Sequence, residues 1–191
     1  MAILRSMPDK TESLQNHFLI AMPQLHDPNF SGALTYICEH TEDGAMGLIV
    51  NKPSGLHLNE VLEQLELPNS ANDTPIYAGG PVQMEHGFVL HSGSSIWDSS
   101  LQISDNLSLT TSRDILQAIG ENQGPEHYLL ALGYAGWGAG QLEQELKENT
   151  WLTCRANQEI LFHTPDAHKL RSALAILGID TDQLNGQIGH A

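Results

Sequence analysis

The chain has 191 residues, 40% of them hydrophobic, enough for one domain to bury a core without disulfide or metal staples. Eight Lys and Arg stand against 23 Asp and Glu, a formal net charge of −15. That balance excludes a conventional DNA-binding domain, which needs a basic face to neutralise phosphates, and the apolar fraction argues against disorder.

Residues 17–22 read as a buried strand ended by Pro23, and Asp27–Phe30 as a turn. A second strand over 34–40, the turn Thr41–Gly44 and a third strand over 46–50 predict an antiparallel hairpin. A helix is expected over 59–67, because Leu58, Val61, Leu62 and Leu65 share a face and Pro68 stops it. Strands follow at 76–78 and 87–91, on either side of Gly79-Gly80-Pro81, and shorter ones at 101–103 and 107–110.

Thr111-Ser112-Arg113-Asp114 matches a capping box, so a helix runs over about 112–119 and ends at Gly120. A buried strand at 127–134 precedes a glycine-rich turn and a helix over 141–148. Strands are expected at 151–155 and 159–162, then a last long helix over 166–177 with Leu170, Leu174 and Leu177 inward. Hairpins with scattered helices, and no regular β-α alternation, predict an α+β fold with a largely antiparallel sheet.

The acidity is uneven. Residues 11–112 hold 12 acidic side chains and a single cation, Lys52. An anion would be drawn to that position, although a solvated acidic surface is the plainer account. Two cysteines without a CxxC, no signal-like apolar stretch near the first residue and no run long enough to span a bilayer predict a cytoplasmic protein.

At this point longer strings become specific. HFLIAMPQLHDPNFSGALTYICEHTEDGAMGLIVNKP from His17, YAGGPV at 77–82, HGFVLH at 86–91 and LGYAGWGAGQLEQEL at 132–146, followed by Asn149 and Trp151, resemble the AlgH/YqgE family of bacterial proteins across about residues 14–180. The resemblance implies one compact domain, here 14–191, and the polar residues 1–13 before it are expected to form a flexible tail. The resemblance also implies a bifurcated sheet that curls into a pseudo-barrel with helices outside. It implies no established activity; the family's name derives from a proposed role in regulating alginate synthesis. Leu170 stands where members of the family commonly carry Trp, an apolar exchange that keeps the core reading.

Three constellations could carry chemistry. Cys38 and His40 alternate on one strand, and an imidazole beside a thiol can activate it; a buried structural thiol is the plain alternative. Asn51 and Lys52 end a strand, and Gly79 and Gly80 allow close backbone approach. If these loops converge, charge and backbone N–H groups could hold a carboxylate or phosphate.

The third is the run Gly133–Gly140, which leads into a helix but has neither dinucleotide nor P-loop spacing. There Trp137 packs or lines a shallow pocket, and Gln141 caps the helix or meets a ligand. No HExxH, zinc spacing or nucleophile elbow occurs, so neither metal nor cofactor is expected. The sequence therefore favours a non-enzymatic regulatory or interaction protein that works through protein partners, any effect on transcription being indirect. The alternative is a binder of small anions, or an enzyme, with a pocket around Asn51, Lys52, Gly79, Gly80 and Trp137.

Overall fold

The structure, a computed structural model, describes residues 12–94 and 96–186. The tail expected over 1–13 lies outside the described residues as far as residue 11. Ser13 is already tied down, its hydroxyl donating to the His40 carbonyl at 3.1 Å.

Strands β1 (His17–Ala21), β2 (Leu34–Thr41) and β3 (Gly44–Ile49) form an antiparallel meander, and Thr41 pairs with Gly44 across the expected tight turn. Strand β4 (Pro53–His57) leads into helix α1 (Leu58–Gln64), then β5 (Pro75–Ala78) and the long β6 (Val82–Ser92). Strands β7 (Ser100–Ser104) and β8 (Leu107–Thr110) make a hairpin before helix α2 (Arg113–Gly120). Strand β9 (Tyr128–Gly138), helix α3 (Gln141–Lys147), strand β10 (Trp151–Arg155) and helices α4 (Asp166–Ile176) and α5 (Thr181–Gly186) complete the chain.

The main path through the sheet is β10-β1-β2-β3-β9-β6-β8-β7. The fork lies on one edge of β9. Its second half pairs with β3, from Ala135 opposite Gly47 to Gly138 opposite Gly44, while Ala131 and Leu132 pair in parallel with Tyr77 and Ala78 of β5. The sheet is otherwise antiparallel among the described residues, and it curls into a half-barrel. Side-chain amides draw its far ends together: Gln15 Nε2 donates to the Ile103 carbonyl at 3.3 Å and Gln158 Nε2 to the Asn106 carbonyl at 3.1 Å.

Three apolar clusters follow from this curl. Phe18, Tyr36, Leu48 and Leu90 pack beneath α4, whose Ala173 and Leu174 close the core. Leu19, Ile37, Trp137 and Trp151 lie on the other face with Leu142 of α3. Leu58 and Leu62 of α1 meet Ile115 and Ile119 of α2 over Ile76 and Val89.

Several local expectations change. The strand expected to end at residue 134 runs on through the glycine-rich stretch to Gly138, because β3 pairs with it there. Residues 159–162 form a π-helical turn (Glu159–His163) rather than a strand. The Asn157 carboxamide accepts the Ile160 N–H and the Glu159 carbonyl accepts the Thr164 N–H, so local partners take groups that a sheet would need. An apolar run of three residues, Ile160–Phe162, does not by itself distinguish the two conformations.

At the start of α2, Ser112 Oγ donates to Asp114 rather than capping a backbone N–H. Glu60, at the start of α1, does reach back to accept the His57 N–H at 2.8 Å. On α4 the inward face is turned from the expected one. Lys169 and Ala173 are buried with Leu174, Leu170 is half-buried and Leu177 is exposed.

Candidate functional site

Asn51 and Lys52 follow β3, directly beside the β5–β6 link. The Lys52 carbonyl accepts the Ala78 N–H at 2.9 Å and the Gly79 carbonyl accepts the Ile49 N–H at 2.8 Å, so the two loops do converge. Their polar groups face structure. The Asn51 carboxamide accepts the Leu34 N–H at 2.8 Å and donates to the Gly32 carbonyl at 2.9 Å. Lys52 Nζ donates to the Ser31 carbonyl at 2.7 Å. The Gly79 N–H is taken by the Leu132 carbonyl.

A methyl group on Gly79 would overlap the Gly133 carbonyl, and one on Gly80 the Tyr134 carbonyl, with Gly80 at φ +157. These glycines therefore let one backbone cross another.

Trp137 lies three residues along β9 from Tyr134 at that crossing, beside Ala45 of β3. Its indole N–H donates to Glu145 Oε2 at 2.9 Å, and the Trp151 indole donates to the same oxygen at 2.8 Å. Gln141 completes this lock. Its Oε1 accepts the Gly138 N–H at 3.0 Å and its Nε2 donates to Glu145 Oε1 at 3.0 Å. The glycine run before α3 thus ends in a side-chain cap and a carboxylate shared by two indoles.

Cys38 and His40 are separated by a feature that alternation alone does not show. Ile37 opposes Gly47 and Glu39 opposes Met46, so Cys38 is the extra residue of a β-bulge. The bulge reverses the faces beyond it. Cys38 packs with Phe18 and Tyr36 in the core, and burial pushes its thiol well above the ordinary 9.0.

His40 turns instead towards α3. Its Nδ1 accepts the Leu14 N–H at 2.9 Å, which puts the ring proton on Nε2, 2.7 Å from Glu143 Oε1. Burial raises the Glu143 pKa, but backbone N–H bonding and the His40 contact outweigh it and hold the carboxyl below its usual value.

A cleft of about 710 Å³ opens where the β2–β3 hairpin meets β9 and β6. Its apolar lining comes from Ala45, Met46, Phe88, Tyr134 and Trp137, with Gly44 and Gly136 between them. Glu39, Thr41 and Asp43 line it from the hairpin, and Val82 and Gln83 from β6. Trp137 belongs to it; Asn51, Lys52, Gly79, Gly80 and Gln141 do not.

Beside the cleft, β6 loses step with β9 between Val82 and Gly87, and Met84 in that stretch is 66% exposed. Gln83 stands at φ +46, a left-handed backbone that is uncommon outside glycine.

A buried charge went unseen in the sequence. Lys169 is 2% exposed; its ammonium donates to the Val50 carbonyl at 2.8 Å and to Asp166 Oδ1 at 2.9 Å, and lies 4.6 Å from the centre of the Tyr77 ring. Tyr77 Oη donates to the same Asp166 oxygen at 2.7 Å. Burial lowers the Lys169 pKa, partly offset by Asp166, and raises that of Tyr77. The signal was present as Asp166 and Lys169 at helical i,i+3 spacing.

Among the described residues no three His, Cys, Asp or Glu side chains gather as a metal site, and no helix is long and apolar enough to cross a membrane.

A sequence model of the AlgH-like family matches residues 18–182. A protein of Hahella chejuensis named UPF0301 is 51% identical over 185 residues, covering 97% of this chain and all of its own length. One from Stutzerimonas stutzeri is 53% identical over 182 residues, covering 93% and 96%. The solution structure of the AlgH protein from Pseudomonas aeruginosa is 50% identical, covers 99% of this chain and all of its own, and superposes with a TM-score of 0.79. A crystal structure from Corynebacterium diphtheriae, 18% identical with a TM-score of 0.69 and covering 93% of each chain, shares the fold.

Proposed function

The chain belongs to the AlgH-like family, and on that footing we propose that it is a cytoplasmic, non-enzymatic interaction protein whose partner is a polypeptide segment carrying basic and apolar side chains. The observation that supports this reading is the open cleft, apolar along Met46, Phe88 and Tyr134 and bordered by the carboxylates of Glu39 and Asp43. Apolar area supplies the driving force for association, and the carboxylates select the sign of the partner's charge. The net charge of −15 extends that preference over the molecule and disfavours nucleic acid. Any influence on transcription then passes through the bound protein.

Calorimetric titration tests the proposal with a synthetic alternating Lys–Leu peptide and its Glu–Leu counterpart. The basic peptide binds, added salt weakens it, and the double variant E39K/D43K loses about tenfold or more in affinity. Equal binding of both peptides, no binding of the basic one, or tight binding of duplex DNA at physiological salt overturns the proposal.

A further inference from the structure

A second cavity, of about 320 Å³, lies between the β1–β2 connection and helices α4 and α5. It is more enclosed than the cleft, and Ile20, Met22, Leu25, Leu170, Leu174 and Leu184 give it a hydrocarbon lining. Ser31 and Thr181 bring the polar side-chain atoms, and no charged side chain lines it. A bare inorganic anion would find little there, whereas an alkyl chain would be well matched.

The charge stands at its edge. Ser31 is a wall residue, and its carbonyl receives the ammonium of Lys52, which does not itself line the cavity, at 2.7 Å in an exposed contact. Asn51 fixes the same wall by bonding both the Gly32 carbonyl and the Leu34 N–H. Lys52 is also the single cation among residues 11–112.

We infer that this cavity binds a small amphiphilic carboxylate, its hydrocarbon chain among the leucines and its carboxylate at Lys52. Lys52 is thereby a ligand-binding residue, and Asn51 a positioning residue that holds the wall. The inference is independent of the polypeptide cleft, which shares no lining residue with this cavity.

Titration of the full chain with decanoate, decanol and inorganic phosphate tests it. Decanoate binds saturably, decanol more weakly and phosphate not at all. Lys52→Ala lowers decanoate affinity about tenfold, the worth of one charge-assisted contact, and leaves decanol unchanged. Leu170→Trp fills the cavity and abolishes both, with the fold checked by circular dichroism; Leu170→Phe serves if the larger ring prevents folding.

Absence of saturable decanoate binding overturns the inference. An unchanged affinity in Lys52→Ala overturns the carboxylate assignment, and unchanged binding in the filled variant overturns the location. Loss of peptide binding in E39K/D43K with decanoate binding intact separates the two sites.

Discussion

Two glycine-rich crossings on β9 use the same chemistry to different ends. At Gly79, Gly80 and Gly133 the β5–β6 link passes so close over β9 that a Cβ at any of the three would overlap a carbonyl of the opposite chain. Further along, Gly44 meets the Trp137 carbonyl just as closely, but the neighbouring Gly136 would present its Cβ only to the edge of the Tyr134 ring. The first crossing is closed and saturated with backbone hydrogen bonds, while the second lies under an open cleft. Glycine in this sheet marks close backbone approach, and a binding surface arises only where nothing fills the space above.

The closed crossing yields the largest expected effect. Gly80→Ala combines a left-handed φ of +157 with direct overlap of the Tyr134 backbone, and urea denaturation should show a loss of about 4 kcal/mol or failure to fold. A cost no greater than that of Gly136→Ala would erase the contrast between the two crossings.

Next comes the buried charge that braces the fork from the α4 side. Lys169→Met leaves Asp166 and Tyr77 without their cation, a change expected to cost about 3 kcal/mol by the same measurement. Lys52→Ala, at the solvent edge, should stay within about 0.5 kcal/mol. A similar cost at both positions would mean that burial does not distinguish these two cations.

High pH probes the closed core as a whole. Burial raises the pKa of Tyr36, Cys38 and Tyr77 in the folded chain above ordinary values of 10.0, 9.0 and 10.0. Their contribution is complete below those values. It is lost as pH rises past them, because the unfolded chain releases protons that the folded chain keeps. Lys169, lowered by burial, acts the other way up to 10.5.

Between pH 9 and 10 only Cys38 of the three has passed its ordinary value and Lys169 opposes it; above 10 both tyrosines join, and the fall of about 1.4 kcal/mol per pH unit for each group prevails. Urea midpoints should therefore drop above about pH 10, and Tyr36→Phe should make the drop shallower. A flat profile would contradict the burial of these groups.

Which parts of this were legible beforehand follows from the range of the forces involved. The β2–β3 hairpin and β8 are set by local periodicity and turn residues and stand within a residue or two of their expected bounds, while α1 begins one residue early and stops three residues before the expected Leu67. Strand β4 escaped notice because Pro53–His57 is exposed throughout and carries no apolar alternation. The Cys38 bulge depends on β3 supplying one residue fewer than β2, which no single strand reveals.

The candidate site divides in the same way. Whether Asn51 and Lys52 meet Gly79 and Gly80 is left open by the sequence, because the backbone bonds that join the two loops are long-range. Their placement apart from Trp137 is set by the length of β9, a property of the whole sheet. Lys169 reads as surface in a helix that otherwise looks amphipathic; besides Asp166 on its own helix, the partners that hold it inside, the Val50 carbonyl and the Tyr77 ring, are 119 and 92 residues away.

The smallest expected effect decides whether the cleft is a surface held for binding. Gly136→Ala adds one methyl beneath the opening, 3.3 Å from the Tyr134 ring edge, with no backbone in reach and no positive φ to strain. A side chain can give by the few tenths of an ångström required, so stability should change by less than about 0.5 kcal/mol. The same methyl projects where a bound chain would lie, so affinity for the basic peptide should fall while the urea midpoint holds. If the midpoint falls and affinity does not, Gly136 belongs with Gly80 as a packing glycine, and the two crossings differ only in what happens to cover them.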